Sequence, residues 1–336
     1  MLVVECSGTP MEIGLQHGTQ AKVQVHSCIE FYKRLFLKAS KLEWPKVQEI
    51  AYGFGSTVKS RWPDYYEEMR GIAEGSGVSV LDILALNIRT EIAFGKFSDG
   101  CTALSLNTEK HGFLAQNWDW NPEQKRNLVI MKINSPKQPA IQMVTEAGII
   151  GKIGFNSNGV GVLLNAIRAE GMDPTRLPVH LALRSALESQ SAREALAQLE
   201  ACGMASPAHI LIADATEAFG CEFTSKTAVA IRPDEKNRIV HTNHLLLDHP
   251  GVVDTAWLKD SPFRLKRMTE LSSGSGESTF EEVSDFFKDR ENAPAAICRS
   301  GDIETLFNIV MDLKQKRAVV TLGMPTNSEG SIELGF

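Results

Sequence analysis

The chain changes character once, between residues 100 and 101, and that change limits its architecture more than any other feature. From Met11 to about Phe94, apolar residues recur at spacings of three and four: Ile29, Leu35 and Phe36; Val47 and Ile50; Leu81, Leu84 and Leu86. That is the period of helices with one buried face. Ser79 with Asp82 opens the last of them as an N-cap. Trp44-Pro45 and Trp62-Pro63 mark two other starts, because proline is accommodated in a first helical turn and pushes the residue before it out of the helical region. After the polar, glycine-ended linker Phe97-Ser-Asp-Gly100, the pattern turns to short strands separated by turn residues.

Strands are expected at Cys101 to Leu106, Gly112 to Asp119, Leu128 to Ile133, Ala140 to Val144, Gly148 to Phe155 and Val160 to Asn165. Asn158-Gly159 between the last two is a hairpin signal, since a tight turn needs positive φ. Helices follow at Pro178 to Glu188 and Ser191 to Ala201, the second with a capping box of Ser191 and Glu194. More strands are read at Ala208 to Asp214, Ala218 to Phe223, Ala228 to Arg232 and Ile239 to Thr242. The chain ends with helices near Phe263 to Leu271 and Thr279 to Asp289, a flexible Ser272 to Ser278 loop between them, and strands Thr305 to Asp312 and Arg317 to Leu322. Runs of strands around a helix pair predict an α+β fold of stacked antiparallel sheets flanked by helices, rather than a βαβ series.

The 336 residues, 43% hydrophobic and 23% charged, suffice for a large core. A formal charge of -6 gives no electrostatic reason to expect nucleic acid or an anionic membrane as partner. Met1 to Pro10 lacks the basic and apolar regions of a signal peptide, and no apolar run reaches the length of a membrane span, so a soluble, cytoplasmic protein is expected. Six cysteines without a CxxC pair read as reduced thiols, not as a disulfide framework or a zinc site.

Chemistry concentrates at three places. In Asp99-Gly100-Cys101-Thr102 a thiol directly follows a glycine at the start of the first strand of the second half. If the bond before Cys101 were cut, the freed α-amino group, titrating near ~7.7 to 8.0, could serve as base for a thiol titrating near ~8.5. A buried structural cysteine would fit the same dipeptide. Asn117-Trp118-Asp119 ends a strand that forms a hairpin with the Cys101 strand, which can bring its carboxylate beside that amino terminus; a solvated strand-end aspartate is the alternative. His241-Thr-Asn243-His244 ends another strand, where a side-chain amide can donate to an oxyanion, whereas the two histidines lack a third metal ligand.

Over nearly its whole length the chain resembles the acyl-coenzyme A:isopenicillin N acyltransferases of filamentous fungi, founding members of peptidase family C45. The matching stretches include Glu12-Ile-Gly14, His17-Gly18, Arg61-Trp-Pro63, Arg70-Gly-Ile-Ala73, Asp99-Gly-Cys-Thr102, Gln116-Asn-Trp-Asp119, Thr145-Glu-Ala-Gly-Ile-Ile-Gly151, His241-Thr-Asn-His244 and Leu306-Phe-Asn-Ile309. The resemblance implies an N-terminal-nucleophile (Ntn) hydrolase αββα sandwich behind a helical N-terminal segment. It also implies self-cleavage between Gly100 and Cys101, and a heterodimer of residues 1–100 with 101–336. In it Cys101 is the nucleophile, Asp119 the partner of its amino group, and Asn243 the oxyanion donor.

Two departures stand out. The penicillin-forming relatives carry, in a longer loop before the Thr-Leu-Phe-Asn-Ile strand, an arginine implicated in holding the β-lactam carboxylate. Here that loop is shortened to Ser300-Gly-Asp-Ile-Glu304, and Arg299, which matches a different family position, is the nearby candidate for substrate binding. The chain also ends Glu333-Leu-Gly-Phe336 in place of a peroxisomal tripeptide, the pattern of a cytosolic acyltransferase-like paralogue. The expected activity is acyl transfer through a Cys101 thioester, from acyl-CoA to an amine, without a metal or organic cofactor and with a role in penicillin or related secondary metabolism. An amidohydrolase on the same site, or an idle paralogue acting as a binding protein, are the alternatives.

Overall fold

Ahead of the helical stretch, Leu2–Ser7 forms a strand, β1, that the apolar pattern does not announce. The computed structural model describes residues 1–93, 100–255, 258–274 and 277–336. Phe97, Ser98 and Asp99 of the expected linker, and Ser275 and Gly276 of the expected loop, lie outside the described residues. The helical period then yields α1 (Pro10–Gln20), α2 (Lys22–Ser40), α3 (Trp44–Arg61), α4 (Pro63–Ser76), α5 (Val80–Asn87) and α6 (Arg89–Ala93). Pro45 and Pro63 occupy first turns as expected, and the α5 capping box is closed: the Ser79 hydroxyl accepts from Leu81 N at 3.2 Å and Asp82 accepts from Ser79 N at 3.0 Å.

From residue 100 the strands are β2 (Gly100–Asn107), β3 (Gly112–Trp120), β4 (Leu128–Asn134), β5 (Ile141–Glu146), β6 (Ile153–Asn156) and β7 (Gly161–Ala166), followed by α7 (Val179–Leu187) and α8 (Ala192–Cys202). Next come β8 (Ala208–Ala213), β9 (Ala218–Phe223), β10 (Ala228–Ile231) and β11 (Arg238–His241), then α9 (Ser261–Leu271) and α10 (Phe280–Phe286). The strands β12 (Glu304–Asp312), β13 (Arg317–Leu322) and β14 (Ser331–Gly335) close the chain, β14 being a second strand the pattern did not mark.

Two expectations are corrected in detail. The strand expected from Gly148 begins only at Ile153, because side chains of the N-terminal half take the main chain before it: Gly148 N donates to His17 Nε2 at 3.0 Å, and Asn87 bonds both Gly148 O and Ile150 N. Burial and the nearby Arg184 push His17 down to about 4, the neutral state an accepting ring nitrogen requires. At α8 the capping box stays half closed. Ser191 accepts from Glu194 N, but the Glu194 carboxylate turns to Gln190 N at 2.6 Å.

The strands form two sheets. One runs β1-β4-β5-β6-β7-β8-β9-β10 and the other β11-β2-β3-β12-β13-β14; β1 pairs parallel to β4 and the remaining neighbours pair antiparallel. A Cβ built on Gly161 of β7 would meet Leu114 of β3, so the sheets stack face to face with their apolar alternation turned inward. α7 and α8 cover the first sheet, while Met268 of α9 and Val283 of α10 close a second apolar cluster with Leu104, Leu106, Phe113 and Val310 on the outer face of the other. The expected αββα layering is therefore present. Among the described residues no helix is long and apolar enough to cross a membrane.

Glycine sets how the N-terminal helices pack. A Cβ on Gly14 or Gly18 of α1 would run into the carbonyl oxygens of Glu68 or Ile72 on α4, and one on Gly71 or Gly75 of α4 would overlap the backbone of Met11 or Leu15. Rigid backbone cannot yield as a flexible side chain does, so Gly14→Ala should destabilise by at least about 1–3 kcal/mol, the usual scale of overpacking. Gly53→Ala, in open space on α3, should be neutral or slightly stabilising. Thermal unfolding of both variants checks this, and equal midpoints would refute the close approach.

Candidate active site

The register of β2 and β3 sets Gly100 opposite Asp119 and Cys101 opposite Trp118. Cys101 is fully buried and belongs, with Trp118, to the cluster between the sheets. β11 lies on the other side of β2, with His241 opposite Ala103, so the residues just past its end reach the start of β2. There Cys101 N donates to Asn243 Oδ1 at 2.9 Å. On the opposite side, a Cβ at Gly100 would lie 3.1 Å from Asp119 Oδ2, so this position sits directly against the carboxylate.

Cys101, Asp119 and Asn243 thus meet at one point, though 142 residues separate the first from the last. The orientation of Asn243 differs from the one expected of an oxyanion donor. Its Nδ2 donates to Ala166 O at 3.1 Å and its Oδ1 accepts from Arg264 Nη2 at 2.9 Å. A guanidinium only donates and a carbonyl only accepts, which fixes the amide with its oxygen toward Cys101.

Asp119 is buried, with Oδ1 accepting from Thr305 Oγ1 at 2.7 Å and Oδ2 lying 3.4 Å from Arg299 Nε. Burial pushes its carboxyl above the ordinary range, opposed by the charges of Arg299 and Arg264 and by the Thr305 hydroxyl. Arg299 also pairs with Asp260 through Nη2. The candidate for substrate binding is therefore turned inward onto two carboxylates of the protein itself.

Three further residues complete the arrangement. Arg264, fully buried on α9, donates to Cys101 O at 2.6 Å and Thr102 Oγ1 at 3.1 Å as well as to Asn243, and its Nε meets Asp260 Oδ2 at 2.6 Å. Burial alone would raise the Asp260 carboxyl, but Arg264 and Arg299 hold it below its ordinary value. Ser261 Oγ accepts from Asn243 N at 2.7 Å. Asp260 and Arg264 were legible as an i, i+4 acid–base pair at a helix start, a signal also common on solvated surfaces.

Asn165 of β7 points into the same interlayer as Gly161, by strand alternation. Its Oδ1 bonds His209 Nδ1 at 2.8 Å, while its Nδ2 meets no acceptor among the described residues. Of the two histidines in the His241–His244 stretch, His244 bonds Ser261 Oγ through Nδ1 at 2.7 Å. His241 and His249 each bond one oxygen of buried Glu222, which also accepts from Leu246 N and Leu247 N, so this group anchors the loop after Asn243.

Two layers of helix around two stacked sheets, with a cysteine at the start of a central strand, define an Ntn-hydrolase fold. The solved structure of penicillin V acylase from Agrobacterium tumefaciens shares it: TM-score 0.52 at 14% identity, covering 70% of this chain and 86% of that one. Residues 106–327 match the model of the acyl-coenzyme A:6-aminopenicillanic acid acyl-transferase family. The chain is also 42% identical, over 345 residues covering 100% of it and 96% of the relative, to the acyl-coenzyme A:6-aminopenicillanic-acid-acyltransferase 40 kDa form of Emericella nidulans. It belongs to that family and is an enzyme of the acyltransferase class.

Proposed function

We propose that the chain is made as an inactive precursor that cuts itself between Gly100 and Cys101, then transfers acyl groups from acyl-CoA to an amine through a Cys101 thioester. The observation that carries this is the placement of the Gly100–Cys101 bond between Asp119 and Asn243, two polar side chains that a buried structural cysteine would not need. In the cleavage step the Cys101 sulfur attacks the Gly100 carbonyl carbon, the C–N bond breaks, and the thiol proton passes to the departing nitrogen. Water then hydrolyses the resulting thioester, leaving a Gly100 carboxylate and a free Cys101 thiol and amine. In turnover that amine takes the thiol proton, the thiolate displaces coenzyme A, which leaves with that proton as a thiol, and the acceptor amine attacks the acyl-cysteine, its proton passing through the α-amine to the released sulfur.

Residues 1–100 would remain with 101–336 after the cut, since β1 pairs along β4 and buried Arg89 and Glu68 pair with Glu146 and Arg184 across the two parts. Asn165 Nδ2 is one side-chain donor without an acceptor among the described residues that could serve an oxyanion while Asn243 Nδ2 serves Ala166. Mass spectrometry of denatured protein should give two chains, the larger beginning at Cys101, and incubation with a panel of acyl-CoAs should add one acyl group to Cys101. Release of free acid with every amine offered would make the enzyme a hydrolase. A single uncut chain that takes no acyl group would end the proposal.

The acceptor is inferred from cations. Arg299 is committed to Asp119 and Asp260, Glu304 faces Lys125 at 3.5 Å, and Asp302 is exposed. A carboxylate on the acceptor would therefore lose an arginine's charge-assisted hydrogen bonds, about 1.5–3 kcal/mol each. The affinity for 6-aminopenicillanic acid should be at least ~10- to 100-fold weaker than in a relative that keeps the loop arginine. Steady-state kinetics with that acceptor checks this. Restoring an arginine within Ser300–Glu304 should recover affinity without altering cleavage, and wild-type affinity equal to the relative's would refute it.

A further inference from the structure

The structure assigns to Arg264, anchored by Asp260, the role of positioning residue: we infer that it clamps the Cys101 main chain and presents a fixed positive charge to the α-amine released there. This rests on the proposed self-cleavage. A new chain terminus loses the covalent restraint of the preceding residue, so something must keep residue 101 in place at the moment it becomes both nucleophile and base. The guanidinium does so from one rigid group: it holds Cys101 O, Thr102 Oγ1 and, through Asn243 Oδ1, the Cys101 nitrogen. Asp260 receives Arg264 Nε and Arg299 Nη2 on one oxygen, and Arg299 reaches Asp119. A single buried chain of ions therefore joins the Asn243 side of the Cys101 nitrogen to its Asp119 side.

The second consequence is electrostatic. A base must be unprotonated, and a cation beside an amine disfavours its charged form. Among the described residues, the charged groups tied to this nitrogen are Arg264 and Asp260 from α9 and its cap, through Asn243, and Asp119 from β3 with Arg299 ahead of β12, opposite Gly100; His244 bonds Ser261 beside Asn243, and Lys152 sits over the ring of Trp118, opposite Cys101. Removing Arg264 deletes a cation and leaves Asp119, so the amine should hold its proton to higher pH.

The test uses the full-length chain as wild type, Arg264→Met, Arg264→Lys and Asp260→Asn, with two readouts: the fraction cut at Cys101 over time, and the pH dependence of kcat/KM for an acyl-CoA. Arg264→Met should cut at least ~10-fold more slowly, and its processed fraction should show the acid limb moved up by about one pH unit, the usual scale of a single nearby charge. Arg264→Lys should keep the limb near its wild-type position yet cut slowly, because an ammonium cannot span the same acceptors. Asp260→Asn keeps the guanidinium but frees it and removes an anion, so it should lower kcat with little change in KM and move the limb down, opposite to Arg264→Met. Should Arg264→Met fail to fold, the lysine and Asp260 variants decide between charge and clamp. An Arg264→Met enzyme that cuts and turns over with the wild-type profile, or lysine and Asp260 variants indistinguishable from wild type, would overturn the assignment alone. A wild type that stays uncut would instead remove the proposed function beneath it.

Discussion

Cys101→Ala should accumulate as one full-length chain and lose turnover by about 10⁴-fold or more, the scale on which removing a nucleophile acts. The thiol is the atom that attacks both the Gly100 carbonyl and the acyl donor, so a single change abolishes both events. Alanine removes one buried sulfur and little shape, and the main chain stays held by Asn243 and Arg264. The variant should therefore keep its wild-type circular dichroism and a similar unfolding midpoint. Cys101→Ser retains an attacking group of nearly the same size and should cut slowly, separating loss of nucleophilicity from loss of packing. Electrophoresis under denaturing conditions with a chain-terminus assay reads all three proteins. Two fragments from Cys101→Ala would show that another agent makes the cut.

Much of this site was legible because strand register is a local matter. Once Cys101 and Asp119 fall on two strands joined by the tight Thr108–His111 connection, antiparallel pairing leaves few ways to keep them apart. Asn243 was legible only as the end of a strand; that β11 lies beside β2 is decided by a sheet order the local pattern does not encode. The ion chain could be read only in its first link, the i, i+4 pair of Asp260 and Arg264. Arg299 lies on a separate segment, and all three charges look like ordinary surface residues until the fold makes them pair. The strand β1 escaped for a related reason: only Val4 and Cys6 are buried in it, and its partner β4 begins at Leu128.

Asn243→Ala should slow turnover by about 100-fold or more, the cost of losing a donor to an oxyanion or an equally specific contact to the reacting residue. The residue ties three elements together: it accepts from Cys101 N and Arg264 and donates to Ala166 O. Which half of the amide does the work is open to a direct comparison with Asn243→Asp. Aspartate keeps an acceptor for the Cys101 nitrogen and for Arg264, but it has no proton for Ala166 O or for an oxyanion. If the side chain acts as the acceptor seen in the uncut chain, Asn243→Asp should cut and turn over well above Asn243→Ala. If after cleavage the amide rotates so that Nδ2 faces the substrate, the two variants should be equally slow in turnover, because a carboxylate repels the developing negative charge. Rates of cleavage and of acyl-CoA consumption, measured separately, distinguish the two cases. Wild-type turnover in Asn243→Ala would remove the residue from the site and leave Asn165, whose amide nitrogen meets no acceptor among the described residues, as the donor to test next.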